Sequence, residues 1–366
     1  MNISIEKKIL SEAVSTVMRF SERKTTTLPT LAGIAIVAEK DSIRFRATNL
    51  ETGIELFVDG SVKTPGTCAL PAGILREVTS SFSGNGSVTI DQDGDTTRIK
   101  ADGAGSTLKN LPYEDFPNVS LPESGKTSFT MPGATLRALI GSTAPYASSS
   151  TVRPELASVL FSAEGGMAKM VATDSFRLAE KKVSVGGSVK PFTLLIPAKN
   201  AADIAQTIPD KDIGVRADEH QCAFVWEKGT VVTRLTAANY PDYAAIIPKK
   251  FGVEATVLRK DLEGALKRAA IFSDQFQKVR LAFDAGKKEV RLSARNNDVG
   301  ESAEALKASV SGEALELSFN HRYLAAPLPA LTQESITLQA AGIGRPLVIR
   351  GQGDQSFLYL VMPMNQ

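Results

Sequence analysis

Apolar residues recur every three or four positions near the start of three stretches of the chain, which is the spacing of an amphipathic helix. The first stretch shows it at Ile5, Ile9, Leu10, Ala13, Val14, Val17 and Met18, and the third at Leu258, Leu262, Ala265, Leu266, Ala269 and Ala270. Alternating polar and apolar residues follow in runs such as SIRFRAT and GIELFVDG, which predict strands. The run SVTIDQDGDTTRIKADG predicts a hairpin with its turn at Asp93-Gly94.

A second helix in each stretch begins beside Pro71, Pro197 or Asn320, residues that suit a first helical position or an N-cap. The pattern therefore predicts a strand-rich α+β chain with two helices per stretch. The predicted helices cover residues 5–24, 71–82, 131–148, 197–208, 259–268 and 320–331.

The three stretches are copies of one another. Their openings, ISIEKKILSEAV, FTMPGATLRALI and ATVLRKDLEGAL, align Leu10, Leu136 and Leu262 at offsets of 126 residues. Later segments align Ala47, Ala172 and Ala294 at offsets of 125 and 122 residues, in the same order. Because internal repeats at one spacing indicate repeated domains, we predict three domains, covering residues 1–122, 123–250 and 251–366.

The composition is that of an ordinary globular protein, with 43% apolar and 22% charged residues. No apolar run approaches the roughly 20 residues of a membrane span. Charged residues at Glu6, Lys7 and Glu12 interrupt the opening segment, unlike a secretory signal, so we expect a cytoplasmic protein. Cys68 and Cys222 are then expected to be buried thiols rather than a disulfide.

Positive charge is concentrated on the predicted helices, whose formal charges total +6, whereas the whole chain carries only +2. Lys260 and Lys267 lie on one helix face, away from Leu262 and Leu266. For any single helix this is typical of a solvated surface. Repeated over six helices lining one surface, it would make a weak, sequence-independent field for a phosphate backbone.

The motifs of the common enzyme and cofactor sites are absent from the sequence. It has only His220 and His321, no CxxC, no GxxxxGK[ST] and no GxSxG. The acidic run from Asp91 has Thr96 where a calcium loop needs glycine. We therefore predict no metal, no cofactor and no catalytic activity. The alternatives are an interaction scaffold of repeated β-rich domains and an enzyme with an unrecognised site.

The chain resembles the bacterial sliding clamp family, the β subunits of DNA polymerase III. The resemblance covers the full length and rests on TLP at Thr27, FPN at Phe116, VRPEL at Val152, VATDSFRLA at Val171, YPDY at Tyr240, RAAIFS at Arg268, FNHRYL at Phe319 and YLVMPM at Tyr359. It implies three DNA-clamp domains per chain, each with two helices packed on antiparallel sheets. Two chains would close head to tail into a ring around double-stranded DNA. The implied partners are a replicative polymerase subunit, the clamp loader and repair polymerases, all bound through short peptides, with no membrane partner.

The resemblance also implies three groups of site residues. The peptide-binding pocket would comprise Leu156, Thr173, Ser175, Phe176, Arg177, Leu178, Pro241, Ile246, Asn320, Tyr323, Pro346, Val361, Met362, Pro363 and Met364. The DNA-facing residues would be Arg23, Lys24, Arg137, Ser149, Arg153, Lys199, Lys260 and Lys267. The dimer interface would use Leu108, Ile271, Phe272, Glu301 and Glu304.

Apolar and Met side chains would give the pocket an adaptable floor, and Asn320 and Tyr323 would supply polar groups at its rim. Without the resemblance, these residues would be read as core residues of their own domains. The chain departs from the family at Ser175-Phe176, where many relatives have Gly-His, and at its final Asn365-Gln366. We expect Phe357–Leu360 to complete the last sheet and Val361–Met364 to form one wall of the pocket.

Overall fold

The computed structural model describes residues 1–22, 28–122, 127–186 and 189–364. Within these ranges the α-helices are α1 (Lys7–Val17), α2 (Ala72–Ser81), α3 (Gly133–Gly141), α4 (Ala198–Ala205), α5 (Arg259–Ile271) and α6 (His321–Ala325). Short 3-10 turns cover Met18–Phe20, Pro29–Ala32, Ala144–Tyr146, Tyr243–Ile246 and Leu328–Ala330.

Strands make up most of the remaining structure. They are β1 (Asn2–Glu6), β2 (Gly33–Glu39), β3 (Ser42–Thr48), β4 (Thr52–Val58), β5 (Ser61–Thr64), β6 (Gly66–Pro71), β7 (Ser87–Asp93), β8 (Thr96–Ala101), β9 (Ala104–Lys109), β10 (Thr127–Pro132), β11 (Ser158–Glu164), β12 (Met167–Thr173), β13 (Arg177–Ser184), β14 (Phe192–Pro197), β15 (Asp212–Ala217), β16 (Gln221–Trp226), β17 (Gly229–Arg234), β18 (Val253–Leu258), β19 (Lys278–Asp284), β20 (Glu289–Asn296), β21 (Gly300–Gly312), β22 (Leu315–Asn320), β23 (Ser335–Ala340), β24 (Leu347–Gly351) and β25 (Phe357–Val361).

The three sequence copies share one order of elements, namely a strand, a helix, four strands, a second helix and three strands. The first copy adds the short strand β5 to this plan. The predicted α+β class with two helices per copy is therefore confirmed.

The chain forms two compact units. Unit 1 consists of Met1–Arg137 and Asn200–Leu235, and unit 2 of Ala138–Lys199 and Thr236–Gln366. Unit 1 holds two sheets, with strand orders β5-β1-β7-β8-β9 and β10-β15-β16-β17-β4-β3-β2-β6. Unit 2 holds one long sheet, with the order β14-β11-β12-β13-β25-β24-β23-β18-β21-β20-β19-β22.

In each unit a sheet continues from one sequence copy into the next. Within unit 1, β4 of the first copy pairs antiparallel with β17 of the second. Within unit 2, β13 of the second copy pairs in the same way with β25 of the third. Because β4 and β13 hold the same place in their copies, as do β17 and β25, these two junctions are equivalent.

The helices differ from the prediction at their ends. Residues 5 and 6 belong to β1, because Ile3 and Ile5 alternate with polar residues and β1 pairs with both β5 and β7. Helix α3 ends at Gly141, four residues before Pro145, and α6 ends just before Pro327, since neither glycine nor proline favours a helix interior. The predicted hairpin forms, but its turn is Gly94-Asp95, with Gly94 at a left-handed φ of 53°.

The apolar stripes that predicted the first and fifth helices are buried. Leu10, Val14 and Val17 of α1 are fully covered, as are Leu262 and Leu266 of α5. Cys68 and Cys222 are both buried free thiols, as predicted. Among the helices that the structure describes, none has the length and apolar character needed to cross a bilayer.

Candidate functional site

The floor of the candidate peptide site lies where β13, β25 and β24 run side by side in unit 2. Leu178, Leu360 and Val348 are paired in register across these strands and point to one face of the sheet. They belong to a buried apolar cluster against which Ile247 and Met362 pack while remaining partly exposed. The strand junction therefore supplies a firm apolar surface with two adaptable side chains above it.

The loop between β12 and β13 is held in a tight turn by its own side chains. The Asp174 Oδ1 atom accepts hydrogen bonds from the backbone amides of Phe176 and Arg177, both at 3.0 Å. Thr173 Oγ1 accepts one from the Ser175 amide at 3.2 Å, and Ser175 has a left-handed φ of 77°. These contacts fix the backbone so that the Phe176 side chain projects outwards, with 60% of its surface exposed.

Arg177 joins this loop to a group of aromatic rings. Its guanidinium lies 4.7 Å from the ring centroid of Tyr323 and 5.5 Å from that of Tyr146, and its Nε donates to Asp174 at 2.9 Å. Phe176 stacks on Tyr323 with centroids 6.3 Å apart. Burial opposes the charged form of Arg177, but the hydrogen bond to Asp174, followed by the electrostatic contributions of Tyr359 and Asp174, outweighs it, so the pKa of Arg177 is raised. The cation is therefore held permanently beneath an exposed aromatic surface.

The 3-10 turn Tyr243–Ile246 forms another wall of the site. The Tyr243 hydroxyl donates to the buried carboxylate of Glu180 at 2.6 Å, and Lys182 binds the other oxygen of that carboxylate at 2.8 Å. Burial, followed by the hydrogen bond to Glu180, raises the pKa of Tyr243 well above its ordinary value, so the hydroxyl remains a donor. This bond anchors a turn whose last residue, Ile246, is 48% exposed.

A groove of about 470 Å³ lies between this turn and the loop before β24. Its lining residues are Ala245, Ile246, Ile247, Pro248, Lys249, Lys250, Ala341, Gly344, Arg345, Pro346 and Met362. The predicted pocket residues Ile246, Pro346 and Met362 are therefore brought together in one concave surface, as a peptide-binding site requires.

Two backbone hydrogen bonds hold residues 362–364 against this site. The Met362 amide donates to the Phe176 carbonyl, and the Met364 amide donates to the Ser318 carbonyl, both at 2.8 Å. The strand predicted at Phe357–Leu360 is present and includes one further residue, Val361, whose side chain is fully buried. Asn365 and Gln366, where the sequence departs from its relatives, lie outside the described residues.

The other predicted pocket residues lie around these features. Asn320 caps α6 by accepting a hydrogen bond from the Arg322 amide at 2.9 Å. Leu156, Thr173 and Leu178 are buried, and Pro241 is exposed at the start of the wall. The sequence reasoning missed Tyr146, Tyr243, Lys249, Lys250 and Arg345. Their positions follow from packing across the strand junction, for which a single sequence carries no local signal.

The predicted DNA-facing residues are mostly at the surface. Ser149, Arg153, Lys199, Lys260 and Lys267 are exposed, and Arg137 is half-buried. Several of these cations are already paired: Arg137 with Asp210, Arg153 with Glu155 and Lys267 with Glu263. Among the described residues, Lys199 and Lys260 have no ion-pair partner. Arg23 and Lys24 fall outside those residues.

The predicted dimer residues differ in accessibility. Ile271 at the end of α5 is 66% exposed, and Phe272 is half-buried beside Gly300 of β21. The Leu108 side chain is buried within unit 1, so only the backbone edge of its strand is open to a partner. Glu301 is exposed, whereas Glu304 is engaged within the chain by Arg268, at 2.6 and 2.8 Å.

Family models of three domains match the chain in succession. The N-terminal domain of the DNA polymerase III beta subunit matches residues 1–120, the central domain residues 130–242 and the C-terminal domain residues 244–365. The Beta sliding clamp of Synechococcus elongatus is 29% identical over 346 residues, covering 92% of each chain.

Solved structures agree with these matches. The DNA polymerase sliding clamp of Bacillus subtilis superposes with a TM-score of 0.94 at 26% identity, over 100% of this chain and 99% of that one. The sliding clamp of Pseudomonas aeruginosa, solved bound to griselimycin, has a TM-score of 0.94 at 25% identity and full coverage of both chains.

Proposed function

The chain belongs to the DNA polymerase III beta subunit family, and on that premise we propose that it is a sliding clamp. Two copies form a closed ring around duplex DNA and tether replicative and repair polymerases to it through short peptides. The ring holds DNA by topology and performs no catalytic step. We place the three clamp domains at residues 1–122, 123–250 and 251–366, and the protein in the cytoplasm.

The main support for the ring comes from two sheet edges that have no partner strand among the described residues. Three copies in a row give two junctions inside the chain, β4 with β17 and β13 with β25. The strand of the third copy that corresponds to β4 and β13 is β21, and the strand of the first copy that corresponds to β17 and β25 is β9. Over the described residues, β9 is the last strand of its sheet, and the Gly300–Lys307 part of β21 pairs on one side only, with β20. Each chain therefore offers two complementary edges, and pairing both edges between two chains closes a ring.

The internal junctions also predict the register of this contact. Thr52 pairs with Thr233 in one junction, and Arg177 pairs with Val361 in the other. The equivalent residues in the open edges can be identified from their partners on the neighbouring strands of their own sheets. By that comparison, Gly300 of β21 is equivalent to Thr52 of β4 and Arg177 of β13. Leu108 of β9 is likewise equivalent to Thr233 of β17 and Val361 of β25. We therefore expect Gly300 of one chain opposite Leu108 of its partner, followed by Ser302 opposite Ser106.

Burial at one repeated position supports the same contact. Phe20, Tyr146 and Phe272 are 126 residues apart and follow the first helix of their copies. Phe20 and Tyr146, at the internal junctions, are 0% and 4% exposed, but Phe272 is only half-buried. The ring of Phe272 lies against Gly300, where a Cβ atom would be 3.7 Å from it. A partner's β9 laid on this edge would cover Phe272 as the internal junctions cover Phe20 and Tyr146.

The helices supply the surface proposed to face DNA. Exposed cations such as Lys199 and Lys260 attract phosphates without reading bases. The pairing of Lys267, Arg137 and Arg153 with carboxylates weakens this attraction. Weak, sequence-independent attraction suits a ring that must slide, because strong or specific contacts would hold it in place.

We assign peptide binding to the groove in unit 2, with Met362, Ile246 and Pro346 along it and Phe176, Arg177 and Tyr323 beside it. Apolar anchors of a partner peptide would rest on the strand junction, and the ordered backbone of Met362–Met364 would form one wall. Pro363 fixes its own φ and keeps that wall extended.

Sedimentation and retention on circular DNA test this proposal together. We expect a dimer of about twice 39.0 kDa that stays on nicked circular DNA after loading and is lost when the circle is linearised. Linearisation is the internal control, because it removes topology without changing the phosphate charge. A stable monomer, or equal retention on circular and linear DNA, would contradict the ring.

A further inference from the structure

A second concave surface of unit 2, here called the interhelix groove, lies between α5 and α6 and has a volume of about 590 Å³. Among the described residues, its lining shares none with the groove of about 470 Å³ beside Met362. Its apolar lining consists of Leu266, Ala270, Ala325, Ala326, Leu328 and Pro329. Apolar concave surfaces of this size are typical of sites that hold an organic ligand.

The interhelix groove exists because α6 is short. Helix α5 has 13 residues and α6 has five, whereas α2 and α4, at the place of α6 in the other copies, have ten and eight. Pro327 follows the end of α6, and proline does not favour a helix interior. Beyond α6, the side of α5 is therefore faced by the 3-10 turn Leu328–Ala330, and small alanine side chains leave space between the helices.

Hydrogen bonds hold both walls of the interhelix groove in place. The Arg259 amide at the start of α5 donates to the Glu334 carbonyl at 2.8 Å, and the His321 amide at the start of α6 donates to the Gln277 carbonyl at 2.9 Å. At the end of α6, the Ala326 carbonyl accepts a hydrogen bond from the Tyr146 hydroxyl at 3.0 Å. The groove is therefore preformed, so a ligand does not have to order its walls.

The rim of the interhelix groove carries more positive charge than its own carboxylate balances. Glu263 is the one carboxylate among the described lining residues, and it lies 2.7 Å from Lys267 and 4.0 Å from Arg259. Arg322 is exposed and has no ion-pair partner in the described part of the chain. The buried Arg259 Nε atom likewise has no hydrogen-bond partner there. A fitting ligand therefore combines an apolar body with negative charge.

The position of this groove indicates where such a ligand comes from. Lys267, which lines the groove, belongs to the helix surface proposed above to face DNA. A fully paired duplex offers this surface its phosphates, because its bases are stacked inside. An unpaired nucleotide also offers a flat apolar base, which leaves the stack at a lower cost than a paired base. Proteins that hold single strands use this combination of a positive groove and a surface for base faces.

We propose that the interhelix groove accepts an unpaired base of the DNA inside the ring. The base lies over Ala270, Ala325 and Leu328, and the adjoining phosphate pairs with Arg322. This inference rests on the proposed clamp function and adds a property that sliding does not require, namely a preference of the ring for bulged, mismatched or frayed positions. Paired DNA cannot fill the groove, so sliding along an intact duplex is unaffected.

Photocrosslinking of the full-length ring tests this proposal. Nicked circles carry one photoreactive thiothymine, either in a single-base bulge or in a base pair, and the ring is loaded on both. After irradiation, mass spectrometry should map crosslinks to α5 or to residues 321–329. Their yield should be about five-fold higher from the bulge than from the base pair, which is the lower end of the range for one base held by a protein.

Two pairs of variants locate the binding site. Ala325→Leu fills the floor and should abolish the preference for the bulge, whereas Ala202→Leu, at the equivalent position of α4, should keep it. Arg322→Gln removes the phosphate partner and should lower the preference. Lys199→Gln removes an exposed cation from the equivalent position of α4 and should leave the preference unchanged. Because Arg322 is exposed, R322Q decides the outcome if A325L does not fold.

The outcomes separate this inference from the function on which it rests. If the ring is not retained on circular DNA, the clamp function fails and the inference fails with it. Retention with equal crosslinking from the bulge and the base pair refutes the inference alone, as does an equal loss of preference in R322Q and K199Q. If folded A325L sediments as a monomer, the groove is a contact between copies of the chain and the proposal is wrong.

Discussion

Replacing Tyr243 by Phe should destabilise unit 2 by about 1.5–3 kcal/mol, the usual contribution of a hydrogen bond to a charged group. The substitution keeps the ring, which is 8% exposed and packs in the apolar cluster beneath the groove. It removes only the hydroxyl that donates to Glu180 at 2.6 Å. Glu180 is 5% exposed, so water cannot fully replace the lost donor.

The contact of Lys182 with Glu180 places the expected value in the lower half of that range. Its ammonium stays 2.8 Å from the other carboxylate oxygen and keeps the charge compensated. We therefore expect a loss of about 2 kcal/mol. Because Tyr243 begins the turn that ends at Ile246, the same substitution should also weaken peptide binding.

The assay is equilibrium unfolding in urea at fixed protein concentration, since the stability of a dimer depends on concentration. A double-mutant cycle with E180Q isolates the pair, and a coupling energy of about 1 kcal/mol or more is expected.

Tyr240 is the matched control. Its hydroxyl is buried, and its approach to the Thr173 backbone falls outside hydrogen-bond geometry, so no hydrogen bond to a described residue is lost with it. Y240F should therefore be close to neutral. Equal effects of Y243F and Y240F, or a coupling energy near zero, would refute the reasoning.

Four further outcomes are expected. Deleting residues 362–366 should abolish peptide binding measured by calorimetry and leave the dimer intact. The reason is that the tail forms a wall of the groove but is not part of the β9 or β21 edge. Unchanged binding would contradict the assignment of the pocket. Phe272→Asp should give a monomer in sedimentation, since it puts a charge on the surface that the partner strand covers, whereas a stable dimer would contradict the predicted register. Burial, followed by the charge of Arg322, lowers the pKa of His321 in the folded protein below the value of 6.5 expected in the unfolded chain. The neutral imidazole therefore makes its full contribution to folding stability above pH 6.5, and this contribution is lost as the pH falls through the folded pKa. His321→Gln should therefore flatten the loss of stability between about pH 7 and pH 5, and an unchanged pH profile would count against this. Burial also raises the pKa of Cys68 to about 12, so the thiol of the folded protein should not react with an aromatic disulfide at neutral pH, although it should react after unfolding.

The repeated architecture could be predicted from the sequence because each copy carries its own local signals. The apolar spacing around Leu10 and Leu262 marks helices, and both residues are buried as that spacing requires. The order of matching segments indicated three copies, and the structure gives each copy the same succession of helices and strands. The strand at Phe357 was predicted for the same reason, since a short apolar run needs only its own residues to be recognised.

The element ends and the site were decided by contacts between distant residues. Ile5 fits a helix or a strand by spacing alone, and the pairing of β1 with β5 and β7 makes it strand. The bond of Tyr243 to Glu180 and the position of Arg177 over Tyr146 and Tyr323 join residues up to 146 positions apart. The groove and its cations depend on these contacts.

The sequence by itself determined that the chain repeats one α+β unit three times, because helix and strand periods are properties of neighbouring residues. Only the tertiary structure decided which edges are paired and which remain open. Two equivalent junctions are complete within the chain, whereas β9 and the Gly300–Lys307 part of β21 lack their counterparts among the described residues. The physical reason is that a backbone edge satisfies its hydrogen bonds through whichever strand lies beside it, and the choice of that strand depends on residues far away in the sequence.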